Sequence, residues 1–70
     1  MMKEITGYVG KVLAYGSTWT CRITDQEAMH ECLLAEMVGW SAEDAVRKFN
    51  KRLAHFGYEI TKMEKDILRY

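Results

Sequence analysis

Residues 18–24, Thr-Trp-Thr-Cys-Arg-Ile-Thr, alternate polar and apolar without a break, and the segment that follows abandons this period of two for one near 3.6. Trp19, Cys21 and Ile23 fall on one face of an extended strand, and Thr18, Thr20 and Arg22 on the other. Thr24-Asp25-Gln26-Glu27 then has the spacing of a capping box. Residues 25–37 contain no β-branched side chain and are rich in Ala, Leu, Met and Glu, so a first helix is expected there. A second helix is expected from Ser41 to Phe56, because Val46, Phe49, Leu53 and Phe56 recur at three, four and three. A chain that switches period in this way must join a sheet to helices.

The remaining segments complete an α+β fold. Residues 3–15 carry Ile5, Val9, Val12 and Tyr15 and read as a strand, and Gly16-Ser17 as the turn of a hairpin. Gly39 is placed to end the first helix in the left-handed conformation, with Ser41 and Asp44 opening the second. Gly57 ends that second helix, and Tyr58 to Met63 reads as a third strand. The expected order is ββααβ: a small antiparallel sheet, made of the N-terminal hairpin and the C-terminal strand, with two helices packed on one face. A strand at Cys32 to Trp40 is the alternative for that stretch, but it points Glu36 into the apolar face, so the helix is preferred. Beyond Glu64, Met63, Ile67 and Tyr70 keep helical spacing in a segment too short to stand alone.

Seventy residues make a single small domain, residues 1–70, whose core rarely supplies more than ~3 to 5 kcal/mol. Cys21 and Cys32 are too few and too irregularly spaced for a disulfide framework or a metal site. No cofactor or metal is expected, and no apolar run of ~20 residues calls for a membrane. A cytoplasmic setting is the expectation. Proline is absent, so nothing interrupts a helix.

The net charge of +0 hides strong sorting: +2 over residues 1–24, −6 over 25–44 and +4 over 45–70. Asp25, Glu27, Glu43 and Asp44 suit helix N-termini, which leaves Glu31 and Glu36 unexplained. Arg47, Lys48, Lys51 and Arg52 fall opposite the apolar stripe of the second helix and should be exposed. Tyr8, Met29, Met37, Trp40 and Tyr70 exceed what so small a core buries, and exposed Met and aromatic side chains mark contact surfaces. Catalysis has weaker support. His30 and Cys32 lie half a helical turn apart, Glu27 and Glu31 lack the His of a carboxylate-bridged metal helix, and Gly7, Gly10 and Gly16 lack the helix that follows a phosphate loop.

Two partial resemblances bear on function. Leu34 to Ser41, followed by Ala45, Val46, Phe49 and Leu53, resembles the helix-turn-helix core of transcription regulators. That resemblance implies a recognition helix over residues 41–56, with Arg47, Lys48, Lys51 and Arg52 near phosphates. Ser41, Glu43, Asp44 and Ala45, with Gly57 to Met63 at the same separation, are similar to the helix and final strand of the short-tailed coliphage inhibitors of host RNA polymerase. This second resemblance covers residues 41–63 and implies a phage or mobile-element protein that blocks a host enzyme by surface contact, with Lys62 in its basic final strand. The leading expectation is a non-enzymatic binding module of this accessory or inhibitory type, bound to a host protein or to a second copy as a homo-oligomer. Its candidate partner-binding residues are Glu31, Glu36, Met37, Trp40, Arg47, Lys48, Lys51, Arg52 and Lys62. The alternative is a helix-turn-helix DNA-binding regulator.

Overall fold

The computed structural model describes residues 1–12 and 18–66. The chain runs through β1 (Lys3–Val12), β2 (Thr18–Ile23), α1 (Gln26–Cys32), β3 (Glu36–Gly39), α2 (Ala42–Leu53), a 3₁₀ turn (Ala54–Phe56) and β4 (Tyr58–Lys65). The four strands form one sheet in the order β3-β2-β1-β4. β1 and β2 are antiparallel, as are β2 and β3, but β4 lies parallel to β1. The fold is α+β, as expected. Its sheet is mixed and its order is ββαβαβ, which corrects the antiparallel ββααβ arrangement. The cause is α2, which carries the chain from β3 at one edge across the face to β4 at the other and returns it alongside β1 in the same direction.

The largest correction concerns residues 32–40. α1 begins one residue later than the capping box predicts, because Asp25 rather than Thr24 is the cap, accepting the Ala28 N–H at 2.9 Å. It ends at Cys32, where Leu33 takes a left-handed conformation (φ 55°) and donates its N–H to the Met29 carbonyl at 3.0 Å. Arg52 of α2 donates from Nε and Nη2 to the Cys32 carbonyl at 3.2 and 2.9 Å, satisfying an acceptor that a helix end leaves open. Residues 36–39 then pair with β2, and the ladder begins with the Ile23 N–H on the Ala35 carbonyl at 3.2 Å. Helix propensity loses here to tertiary pairing, because β2 would otherwise end in an unpaired edge beneath α2. Glu36 poses no obstacle in this register, since it lies opposite Arg22 on the face away from the helices while Met37 and Gly39 face α2. β3 therefore stands between the two helices, and the two-residue helical turn of the helix-turn-helix resemblance is not formed.

Gly39 closes β3 instead of a helix. A Cβ there would lie 2.5 Å from the Ala45 nitrogen and 2.8 Å from its Cα, so glycine lets α2 sit directly on the strand. Ser41 caps α2 by accepting the Asp44 N–H at 3.0 Å, and Gly57 (φ 87°) ends the 3₁₀ turn as expected. Phe49 and Leu53 are fully buried, each contributing about 2 to 3 kcal/mol of transfer free energy. Phe56 leaves the predicted stripe, because the 3₁₀ turn rotates it outward to 39% exposure. With Ala45 they meet Ala28 and Cys32 of α1 and Ile5, Cys21, Ile23, Tyr58 and Ile60 of the sheet in one core. Both helices cover this face.

On the opposite face Arg22 holds Asp66 just beyond β4, Nε to Oδ2 at 3.0 Å and Nη2 to Oδ1 at 3.2 Å, and the carboxylate is 1% exposed. The Gly16-Ser17 turn and the spacing that reaches Ile67 and Tyr70 lie outside the described residues. No helix among the described residues is long and apolar enough to cross a membrane.

Candidate protein-binding surface

The two edges of the sheet are built differently. At β3, antiparallel pairing with β2 occupies the backbone groups of Ala35, Met37 and Gly39, so alternation turns the N–H and C=O of Glu36 and Val38 outward. Leu33 at the end of α1, Val38 within β3 and Trp40 just after it are 82%, 50% and 76% exposed. Trp40 is fixed by its backbone, whose N–H donates to Asp44 Oδ2 at 3.0 Å, while its indole remains in solvent. Asp44 is the hub of this corner. It takes Lys48 at 3.2 Å and contacts Arg47, and its carboxyl is held below the usual range first by the Trp40 N–H and then by these cations.

Thr18, Val38, Gly39, Trp40 and Lys48 line a cleft of about 140 Å³. Small-molecule sites run to ~300–1,000 Å³, so this space suits one side chain of a partner. Its lining is mostly apolar and includes Lys48.

At β4 the edge is guarded. Asn50 of α2 accepts the Ile60 N–H at 2.7 Å and donates to the Ile60 carbonyl at 3.2 Å, imitating the strand that is missing there. A bulge at Thr61 follows, where Ile5 pairs with Ile60 but Thr6 pairs with Lys62. Thr61 to Lys65 are all exposed and include Lys62, Glu64 and Lys65.

The nine residues expected to bind a partner do not form one site. Trp40 and Lys48 meet at the cleft, with Glu36 on the strand that borders it. Met37, expected at the surface, is half-buried and packs against the core, because its register position faces α2. The basic block is largely committed within the molecule: Arg47 and Lys48 to Asp44, and Arg52 to the end of α1. Lys51 is exposed on α2. Glu31 lies by the Tyr58 hydroxyl, whose pKa is raised by burial and then by Glu31. Lys62 sits on the other edge, 3.9 Å from Glu64. Leu33 and Val38 are not among the expected contact residues, because the helix expected over residues 25–37 takes in Leu33 and ends beside Val38. The signal that could have found them is the alternation around Val38 with the small Gly39 after it.

The thiols are poor nucleophiles. Cys21 is fully buried, and burial pushes its pKa from 9.0 up to about 12, the reverse of an activated thiol. Cys32 is fully buried and its Sγ lies 3.1 Å from the Leu34 carbonyl as donor. Among the described residues no group of three or more His, Cys, Asp or Glu is arranged to hold a metal ion.

Comparison with protein families, curated proteins and solved structures finds no match to this chain.

Proposed function

We propose that this chain is a non-enzymatic protein-binding module whose contact surface is the outer edge of β3 with Trp40 and the adjoining cleft. The observation that carries this reading is the exposure of Val38 in β3 and of Leu33 and Trp40 in the chain on either side of it, all at least half exposed. An exposed Trp in a mostly apolar cleft that also includes a lysine has the composition of an interface hot spot. The similarity of residues 41–63 to the phage inhibitors adds the class of action, occlusion of a host protein's surface, and α2 and β4 span that segment.

The test is capture of proteins from the natural host's lysate on the immobilised chain, before and after nuclease treatment, with Trp40→Ala alongside. Capture that survives nuclease and disappears with Trp40→Ala supports the reading. Capture abolished by nuclease, salt and Arg47→Ala points to nucleic acid instead.

A further inference from the structure

We infer that α1 opens as a unit while the rest of the fold stays in place, released when a charged contact at each of its ends lets go. α1 is seven residues long, too short to persist as a helix on its own, so its attachment to the body decides whether it forms. That attachment is slight. α1 buries Ala28 and Cys32 and partly buries Met29, whereas α2 buries Ala45, Phe49 and Leu53. Among the described residues α2 packs against all four strands, while α1 rests chiefly on α2 and the 3₁₀ turn.

The two ends supply the rest of the hold. At the start, Asp25 accepts the Ala28 N–H at 2.9 Å and takes Lys3 of β1 at 3.0 Å. At the finish, Arg52 of α2 donates to the Cys32 carbonyl at 3.2 and 2.9 Å. Leu33 comes next at φ 55°, a conformation that a bulky side chain seldom takes and that relaxes once the helix unwinds. Breaking these contacts leaves every strand pairing and the seat of α2 on the sheet intact. Leu33 belongs to the opening segment, and Val38 and Trp40 do not, so the contact surface is whole only while α1 is closed. That consequence rests on the binding-module reading; the opening itself does not.

The two thiols report on the opening, since both are fully buried, Cys32 in α1 and Cys21 in β2 beneath α2. The test is labelling of the full chain with an aromatic disulfide reagent over low urea concentrations. Each cysteine is read by peptide mass and its rate divided by that in the unfolded chain. Cys32 should label at least about tenfold faster than Cys21 and depend weakly on urea, while Cys21 follows the steep dependence of global unfolding. Arg52→Ala should speed Cys32 about tenfold, and Asp25→Ala about fivefold. Asn50→Ala weakens the fold away from α1, so it should speed Cys21 and leave Cys32 unchanged. Equal rates with equal urea dependence in the wild-type chain overturn the proposal, as does an Asn50→Ala chain in which both cysteines speed up alike. Arg52→Ala and Asp25→Ala chains that both label Cys32 at the wild-type rate overturn it too. The wild-type comparison needs no variant to fold, and because no partner is present its failure leaves the binding-module reading in place.

Discussion

β3 and β4 are the two edges of one sheet, yet they treat their exposed backbone in opposite ways. β4 has three protections within a few residues: the Asn50 side chain on Ile60, a bulge at Thr61, and charges at Lys62, Glu64 and Lys65. Among the described residues β3 has its shortness and the charge of Glu36, and its Val38 side chain is half exposed. Edge strands invite pairing, and proteins that do not use an edge blunt it. The contrast sets a guarded β4 edge against a β3 edge that has the exposed Leu33, Val38 and Trp40 in and beside it.

The most damaging way to break this contrast is to lift α2 from β3. Gly39→Ala drives a Cβ into the Ala45 backbone, and urea unfolding should show a loss of about 3 kcal/mol. Removing the guard comes next. Asn50→Ala leaves the Ile60 N–H and C=O without their partner, should cost about 2 kcal/mol by the same assay, and should make light scattering rise with concentration as this edge opens.

Smaller effects follow from the titrating groups. The Asp25 carboxyl is held low by the Ala28 N–H and then by Lys3 at 3.0 Å. Its folded pKa lies below its unfolded one, so its contribution is present above about pH 3.8 and is lost as pH falls through the folded value. Asp25→Asn should therefore flatten the acid limb of the unfolding curve. Cys21 behaves in the opposite sense: its raised pKa means that its contribution is full below pH 9.0 and fades as pH rises towards about 12, so Cys21→Ala should flatten the alkaline limb. The smallest change in stability belongs to Val38→Lys, within about 0.5 kcal/mol in urea, because this side chain faces solvent. Its effect should fall on association alone.

Much of the fold was legible where local and tertiary preferences agree. The alternation of Thr18 to Thr24, the Ser41 cap, the Phe49 and Leu53 contacts and the Gly57 stop all depend on short-range pattern, and the structure contains them. Residues 32–39 were not legible in the same way. Leu34, Ala35, Glu36 and Met37 favour a helix, and only the unpaired edge of β2, together with the Arg52 guanidinium on the Cys32 carbonyl, decides otherwise. The parallel placement of β4 was hidden for the same reason, since it follows from β3 existing at the far edge.

The candidate surface was read in part. Trp40 and Lys48 were singled out for exposure and charge and do meet at the cleft. Leu33 and Val38 were not, because an edge becomes visible only once the strand itself is recognised. The charge sorting changed its meaning as well. The acidic block of residues 25–44 and the basic block that follows meet at a corner in which Asp44 gathers Arg47 and Lys48 beside the exposed indole.

Amide hydrogen exchange of the chain alone and of the chain with the host protein it captures tests the difference between the edges most directly. The Ile60 amide, held by Asn50, should be protected in both samples, and the outward Met63 amide in neither. The Val38 amide should exchange freely in the chain alone and become protected in the complex. A Val38 amide that exchanges at the same fast rate in both would contradict the reading of β3 as the contact edge.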